Sequence, residues 1–273
     1  MCGCPSANDK RARQRKQLED ILRREGELEI DTNENTKINQ RKLLFDAAMQ
    51  LGISLTEVQL AQFETYMSML LEWNNKFNLT AITGPREIIL KHFADCLSIV
   101  PYIGAGESII DIGAGAGFPG IPLKIAMPDI RVTLLDALNK RVGFLNAVTE
   151  VLGLEDIHAV HMRAEDAARL ESYRENYDIA VARAVASLPT LAEYALPFVR
   201  IGGRFIAMKG PSAADELALS AQAISTLGGE YSKTVSVEIP FEDITHNLVI
   251  VNKLSSTPPR FPRKASQITK KPL

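Results

Sequence analysis

Three glycines recur at every second position shortly after a run of apolar residues. Asp111 ends that run, and Gly113, Gly115 and Gly117 follow it. Glycine lets the backbone approach a ligand closely, and the first turn of a helix offers free N–H groups. A buried strand that ends in a glycine turn and leads into a helix is therefore expected to bind a nucleotide.

Two nucleotide cofactors are compatible with this loop. Gly115, Gly117 and Gly120 match the G-x-G-x-x-G pattern of dinucleotide-binding folds. Alternating glycines behind an aspartate are instead typical of class I S-adenosylmethionine-dependent methyltransferases. Pro119 removes an N–H donor at the helix start, where a pyrophosphate would bind. Asp111 would repel a pyrophosphate but attract the ammonium or sulfonium group of S-adenosylmethionine, so both residues favour that cofactor.

Strands and helices alternate after residue 108. Apolar runs predict strands at 108–113, 131–136, 157–162, 178–182 and 203–209, with helices at 119–127, 138–152, 189–199 and 213–227. This alternation is typical of a doubly wound, mostly parallel sheet. Two further strands, 233–239 and 246–254, are joined by a short loop, so at least one of them runs antiparallel. The predicted fold is α/β and Rossmann-like, of the class I methyltransferase type, with a C-terminal antiparallel hairpin and N-terminal helices.

Composition and cysteine content restrict the other function classes. The chain has 273 residues, of which 46% are hydrophobic and 23% charged, and its net charge of −2 gives no overall basic field for nucleic acid. Cys2, Cys4 and Cys96 form neither a disulfide framework nor a zinc site. No apolar run is long enough to span a membrane, and the N-terminus lacks the apolar core of a signal peptide. We therefore expect a cytoplasmic protein without a bound metal.

Four regions are expected along the chain. Residues 1–40 form a charged, flexible extension that ends in a polar linker at 31–40, and residues 41–105 form a helical region packed on the core. Residues 106–254 form the cofactor-binding core, and residues 255–273 form a basic tail without Asp or Glu. The prolines of this tail predict an irregular segment that lies along phosphates. A merely solubilising tail fits its composition equally well.

Several stretches together carry a resemblance to one family. D-I-G-A-G-A-G-F-P-G-I-P-L at 111–123 and L-L-D-A-L-N-K-R-V-G-F-L at 134–145 occur with N-K-F-N-L-T-A at 75–81, K-H-F-A-D-C-L at 91–97 and A-R-A-V-A-S-L at 182–188. Over about residues 41–273 the chain resembles the bacterial ribosomal small-subunit methyltransferase G family, also called GidB. The resemblance implies an enzyme that methylates N7 of a guanine in 16S rRNA, with the rRNA or a small-subunit assembly particle as partner. We expect it to act as a monomer.

The resemblance also implies where the cofactor binds. Gly113, Gly115 and Gly117 would approach the methionine part of S-adenosylmethionine, and Phe118 would cap that pocket. Asp136 would accept the ribose hydroxyls, as an acid at the end of the second strand does in such folds. A simpler interpretation is that Asp136 caps the helix that follows it.

Two further cofactor contacts are expected after the third and fourth strands. Ala164 and Glu165 would flank the adenine, although an acid at a helix start also interacts well with the helix dipole. Arg183 would contact the cofactor carboxylate, the guanine or both, and is the candidate catalytic residue. An ion pair with Asp178 is its simpler interpretation.

Basic residues are expected to hold the RNA backbone, and one polar pair is expected to be structural. The basic residues are Lys209, Arg260, Arg263, Lys264, Lys270 and Lys271. For Lys209 a solvated strand end fits nearly as well. His92 and Asp95 are expected to form a buried hydrogen-bonded pair rather than a catalytic one. An NAD-dependent oxidoreductase and a non-catalytic, RNA-binding ribosome assembly factor with this fold remain the alternative functions.

Overall fold

The computed structural model describes residues 36–183 and 185–273, so the predicted extension lies outside the described residues as far as residue 35. The chain divides between Leu43 and Leu44 into two units. In the first unit, residues 36–43 are helical, which corrects the predicted polar linker over its last positions. The helix that they begin, α1, covers residues 36–50, and every later element of the chain belongs to the second unit.

Two helical segments and a short 3-10 turn, Val100–Tyr102, lie between α1 and the first strand. Helix α2 is Glu57–Phe77, and it begins at a capping box in which Thr56 and Gln59 satisfy each other's backbone N–H groups. Segment α3 is α-helical at Pro85–Glu87, π-helical at Ile88–Ala94 and α-helical again at Asp95–Leu97. The Gln59 side chain donates a hydrogen bond to the carbonyl of Ile125 at 2.8 Å, which fastens α2 to the core.

Within the described residues, seven strands form one sheet with the order β3-β2-β1-β4-β5-β7-β6. The strands are β1 Ser108–Ile112, β2 Arg131–Asp136, β3 Ile157–His161, β4 Tyr177–Arg183, β5 Val199–Lys209, β6 Gly229–Glu238 and β7 Thr245–Lys253. The first five are parallel, and β7 runs antiparallel to both β5 and β6. The predicted strands and the predicted antiparallel hairpin are therefore confirmed.

Helices connect these strands. They are α4 Gly120–Ala126, α5 Asn139–Val151, α6 Ala164–Ala167, α7 Leu188–Ala195, α8 Ala213–Ala218 and α9 Ala221–Thr226. The single helix predicted at 213–227 is thus two short helices. Ile110 and Ile112 of β1 share a core cluster with α7 residues such as Leu191. Because side chains alternate along a strand, Asp111 between them points to the opposite face, which is also covered.

The basic tail is folded, which corrects the predicted irregular segment. It contains a helix, α10, at Ala265–Lys270, whose Ile268 is fully buried. The Arg174 guanidinium donates hydrogen bonds to the carbonyls of Thr257 at 2.7 Å and Phe261 at 2.9 Å. The tail therefore packs on the core instead of extending from it.

Candidate active site

The carboxyl ends of the parallel strands bring the predicted site residues to one edge of the sheet. The glycine loop follows β1, Asp136 ends β2, Arg183 ends β4 and Lys209 ends β5. The chain turns to opposite sides after β1 and β4, and ligands of open α/β sheets bind in the crevice at such a switch point. The fold thus places the glycine loop and Arg183 on the two sides of one crevice.

The glycine loop has a conformation that glycine alone adopts readily. The φ angles of Gly113, Gly115 and Gly117 are +68°, +61° and +97°. A Cβ on Gly117 would lie 2.5 Å from Cδ1 of Ile121, so this glycine also allows close packing. A Cβ on Gly115 would meet only the Gly113 carbonyl oxygen, at 3.7 Å, so the backbone of Gly115 leaves room for a ligand.

Asp111 is fully buried beneath this loop. Its Oδ2 accepts the N–H of Gly120 at 2.8 Å and so joins the end of β1 to the start of α4. Its Oδ1 is buried without a hydrogen-bond partner in the described part of the chain. Desolvation raises the pKa of this carboxyl to about 7. An orphaned acidic oxygen beside a glycine loop fits a cofactor that carries an ammonium group.

Asp136 connects the glycine loop to the helix after β2. Its Oδ2 accepts the N–H of Gly115 at 2.9 Å, and its Oδ1 accepts the N–H of Leu138, the residue before α5, at 2.8 Å. Arg141 approaches the same Oδ2 at 3.4 Å. The carboxylate therefore stabilises the start of α5, as expected of a helix cap. It also lies against the loop where a ribose would be expected.

The pair expected at the adenine lies beside the end of β3. Ala164 and Glu165 open the short helix α6, and Glu165 is buried. The N–H of Met162 bonds the carbonyl of Asp136 at 3.1 Å, so this segment lies next to the end of β2. Burial, with the nearby charge of Glu165, raises the pKa of Tyr194 on α7. Helix α6 contacts α7, so Glu165 lies close to that helix.

Phe118 forms an aromatic and cationic cluster behind the glycine loop. Its ring centroid is 4.5 Å from that of His92 and 5.5 Å from that of Tyr66, and the Arg183 guanidinium carbon lies 4.8 Å from it. Only 5% of Phe118 is exposed. The ring thus forms a wall between the glycine loop and Arg183.

Arg183 is held by α3. Its Nη1 bonds Oδ2 of Asp95 at 3.2 Å and the carbonyl of Lys91 at 3.1 Å, and its Nη2 bonds Nδ1 of His92 at 3.0 Å. The alternative ion pair with Asp178 is wrong, because Asp178 pairs with Arg200 at 2.6 Å. The expected pair of His92 and Asp95 is likewise replaced by separate bonds from each residue to Arg183.

His92 is neutral in this arrangement. Burial and the charge of Arg183 lower the pKa of His92 to about 4. A guanidinium can only donate, so Nδ1 of His92 accepts from Arg183. The Lys91 carbonyl, 3.1 Å from the same Nδ1, accepts its hydrogen bond from Nη1 of Arg183 instead. The proton then lies on Nε2, which is 2.9 Å from Oγ1 of Thr80 and donates to it. His92 therefore orients Arg183 and carries no charge of its own.

A cavity of about 390 Å³ opens beside Arg183 at the carboxyl ends of β4 and β5. It is lined by Ile82, Lys91, His92, Asp95, Arg183, Met208, Lys209, Gly210, Glu216, Ile244 and His246. His246 was not expected at the site, and its Nδ1 lies 2.7 Å from Oδ1 of Asp95. The predicted hairpin carried the relevant signal. An antiparallel strand paired with β5 starts where β5 ends, and His246 is at that start.

Lys209 and Arg263 make structural ion pairs, which corrects their expected availability to RNA. Lys209 is 2.7 Å from Glu216 and donates to the carbonyl of Ala186 at 2.8 Å, so it fastens the loop after β4. Arg263 pairs in a bidentate manner with the buried Glu193 on α7. The other four expected RNA ligands, Arg260, Lys264, Lys270 and Lys271, are exposed.

The sheet order, the glycine loop after β1 and the acid at the end of β2 together define a Rossmann-like class I methyltransferase fold. A methyltransferase chain of Haloferax volcanii, solved in complex with the activator Trm112, shares this fold with a TM-score of 0.52 and 14% identity, over 68% of this chain and 98% of that one. The family model GidB, described as rRNA small subunit methyltransferase G, matches residues 59–245. The chain belongs to the GidB family.

Curated relatives extend this match over most of the chain. A ribosomal RNA small subunit methyltransferase G of Alkaliphilus metalliredigens is 48% identical over 86% of this chain and 100% of its own length. One of Acetivibrio thermocellus is 50% identical over 87% of this chain and 98% of its own length. The resemblance to this family and the methyltransferase class inferred from the sequence are therefore confirmed. In the part of the chain that the structure describes, no helix is long and apolar enough to cross a bilayer.

Proposed function

We propose that this protein transfers a methyl group from S-adenosylmethionine to N7 of a guanine in 16S rRNA of the small ribosomal subunit. The observation that carries the proposal is the cavity of about 390 Å³ at the carboxyl ends of β4 and β5, with Arg183 fixed on its wall and in contact with Phe118 of the glycine loop. That volume lies within the usual range of small-molecule binding pockets, about 300–1,000 Å³. The names of the relatives supply the rRNA and the small subunit.

The residues around the glycine loop fit this cofactor. When bound, S-adenosylmethionine supplies an electrophilic methyl group on a positively charged sulfur. We assign its methionine part to Gly113, Gly115 and Gly117, its ribose to Asp136, and its adenine to Ala164 and Glu165. The unpartnered Oδ1 of Asp111 would favour the ammonium group, and the open backbone at Gly115 allows close approach.

The reaction makes few demands on the side chains of the cavity. Guanine N7 has a free lone pair and no proton, so no general base is required. This agrees with a site in which His92 is neutral, buried and already bonded to Thr80. Catalysis then comes mainly from orienting the base and the methyl donor, which supplies on the order of 7–11 kcal/mol in favourable cases. Arg183 would hold the base in line, and Phe118 would cap the methionine part of the cofactor.

The RNA must present the guanine outside a regular duplex. The major groove of A-form RNA, where N7 lies, is too narrow for protein side chains. A splayed base reaches a concave site, and the exposed Arg260, Lys264, Lys270 and Lys271 would hold the flanking backbone. We further propose that one chain acts as a monomer in the cytoplasm, because a single copy contains every residue assigned to the cofactor and the base.

The test is to map N7-methylguanine in small-subunit rRNA from cells with and without this protein. We expect one modified position to be lost. Purified protein should restore it in vitro, Arg183→Met should abolish that activity, and Arg183→Lys should recover only a small part because lysine lacks the planar fork. Arg200→Met, which removes an arginine paired with Asp178 at the other end of β4, is the matched control and should remain active.

Cofactor choice and catalysis are tested separately. Calorimetry should show binding of S-adenosylhomocysteine and no binding of NAD. An unchanged set of N7-methylguanines in cells that lack the protein would contradict the proposal and favour a non-catalytic assembly factor. Binding of NAD instead would favour the oxidoreductase alternative.

A further inference from the structure

The cavity contains a histidine on the wall formed by the hairpin. His246 lies at the start of β7, next to Asn247, which pairs with Lys209 at the end of β5. Its Nδ1 is 2.7 Å from Oδ1 of Asp95, whose Oδ2 binds Arg183 at 3.2 Å. One buried carboxylate therefore holds two different side chains of the cavity side by side.

The tautomer of His246 follows from its partner. An ionised carboxylate only accepts, so Nδ1 of His246 carries a hydrogen and donates it to Asp95. In the neutral imidazole, Nε2 then has a free lone pair, and it makes no hydrogen bond within the described part of the chain. Arg183 remains a donor at every physiological pH. The carboxylate of Asp95 therefore holds a hydrogen-bond donor, Arg183, next to a hydrogen-bond acceptor, Nε2 of His246.

Resting on the function proposed above, we propose that His246 is a specificity-determining residue that reads the Watson–Crick edge of the target base. Its Nε2 accepts the N1–H of guanine while the neighbouring Arg183 donates to O6. Guanine presents O6 and N1–H on adjacent atoms, in the order that this pair of side chains complements. Adenine presents an amino group and a bare N1 there, so both contacts would become mismatches.

The same contact also favours the reaction over binding alone. Methylation places a positive charge on the purine ring, which makes N1–H a stronger donor. A hydrogen bond to the neutral acceptor therefore strengthens as the transition state forms. A protonated His246 would instead add a third positive charge to those of Arg183 and the sulfonium of the cofactor.

Two substitutions separate the cavity contact from the contact with Asp95. His246→Asn retains an N–H near the position of Nδ1 and removes the acceptor at Nε2. His246→Gln places an amide oxygen near the position of Nε2 and gives up the donor to Asp95. His158→Asn, in which a histidine of β3 near Thr133 is changed, is the matched control.

The three proteins should differ in turnover on unmethylated small subunits. We expect His246→Asn to lower kcat by about 10- to 100-fold, as for the loss of one hydrogen bond that acts in the transition state. His246→Gln should keep most of the turnover, and His158→Asn should equal the wild type. Affinity for S-adenosylhomocysteine, measured by calorimetry, should be the same in all of them and shows that each variant is folded.

The pH profile supplies a second readout. The hydrogen bond to Asp95 raises the pKa of His246, so wild-type kcat should fall on acidification from a pH above 6.5, where Nε2 gains a proton. The charged and titratable groups that face it are Asp95, Lys91 and His92 on α3, Arg183 on β4, Lys209 on β5 and Glu216 on α8. All of them are present in His246→Asn, whose profile should therefore lack this acidic limb.

Each failure has its own signature. If the wild type does not methylate guanine N7 in small-subunit rRNA, the proposed function fails. If the wild type does so and His246→Asn matches its kcat and pH profile, the reading of the base by His246 is wrong. If His246→Gln is impaired and His246→Asn is not, the contact with Asp95 alone matters, and the inference is also overturned.

Discussion

Replacement of Asp111 by asparagine is expected to remove the cost in folding stability of ionising a buried carboxyl. It is also expected to weaken cofactor binding. The Asp111 side chain is fully buried, and desolvation raises its pKa from 3.8 to about 7, only partly offset by the hydrogen bond from Gly120. Asparagine keeps an oxygen that can accept that N–H and removes the charge. Asp111→Asn therefore isolates the energetic effect of one buried carboxyl beneath the glycine loop.

The magnitude follows from proton linkage. Between about pH 4 and pH 7 the folded protein keeps a proton on Asp111 that the unfolded chain has released, so this carboxyl lowers the free energy of unfolding as the pH rises. A pKa difference of about three, at about 1.4 kcal/mol for each unit, gives a cost of roughly 4 kcal/mol above pH 7. At pH 5 the cost is roughly 2 kcal/mol by the same relation.

The assay is urea unfolding of ligand-free wild type and Asp111→Asn at pH 5 and pH 8. The variant's unfolding free energy, minus that of the wild type, should rise by roughly 2–3 kcal/mol between these pH values. A buried amide N–H without a partner costs about 1–3 kcal/mol at every pH, so the change with pH is the informative quantity. The exposed Asp129→Asn is the control and should show no such change.

The affinity of Asp111→Asn for the cofactor should be lower than that of the wild type. S-adenosylhomocysteine carries an ammonium group, and loss of a hydrogen bond to a charged group costs about 1.5–3 kcal/mol, or about 10- to 100-fold in Kd. A difference in stability that is equal at pH 5 and pH 8 would refute the reasoning, because it would mean that Asp111 ionises as an ordinary surface carboxyl. Unchanged affinity would refute its role toward the ammonium group.

Two further predictions concern the folded tail. Simultaneous change of Lys264, Lys270 and Lys271 to glutamine should leave the urea midpoint unchanged. It should lower the slope of log affinity for rRNA against log salt by about 0.7–0.9 for each lost phosphate contact. An unchanged slope would mean that these residues do not contact the RNA. Glu193→Gln should cost about 3 kcal/mol in the free energy of unfolding, since it breaks a buried ion pair with Arg263. An unaltered urea midpoint would contradict that.

Local patterns were sufficient to predict where the glycine loop, Asp136 and Arg183 lie. A strand, a glycine turn and a helix are contiguous in sequence, so the position of Gly113–Gly117 follows directly from residues 108–123. The acid at the end of β2 and Arg183 at the end of β4 follow from one further rule, that parallel strands end at the same edge. The glycine loop, Asp136 and Arg183 lie where those rules place them.

Ion-pair partners from distant parts of the chain could not be predicted from local sequence patterns. The alternative interpretation paired Arg183 with Asp178, five residues away, but α3 contributes Asp95 from 88 residues away. Lys209 and Arg263 were counted as free cations because composition does not show that Glu216 and Glu193 face them. A carboxylate contributed by a separate element changes the role of a basic residue, and only the tertiary structure supplies it.

The glycine loop and the cavity are built in different ways and meet at Phe118. The glycine loop is built from one contiguous segment, whereas the cavity is assembled from α3, β4, β5, α8 and the hairpin. Phe118 belongs to the loop, yet its ring contacts His92 and Arg183 of the cavity. The Phe118 ring therefore joins the glycine loop to Arg183, and Asp95 joins Arg183 to His246, so the two parts of the site form one continuous set of contacts.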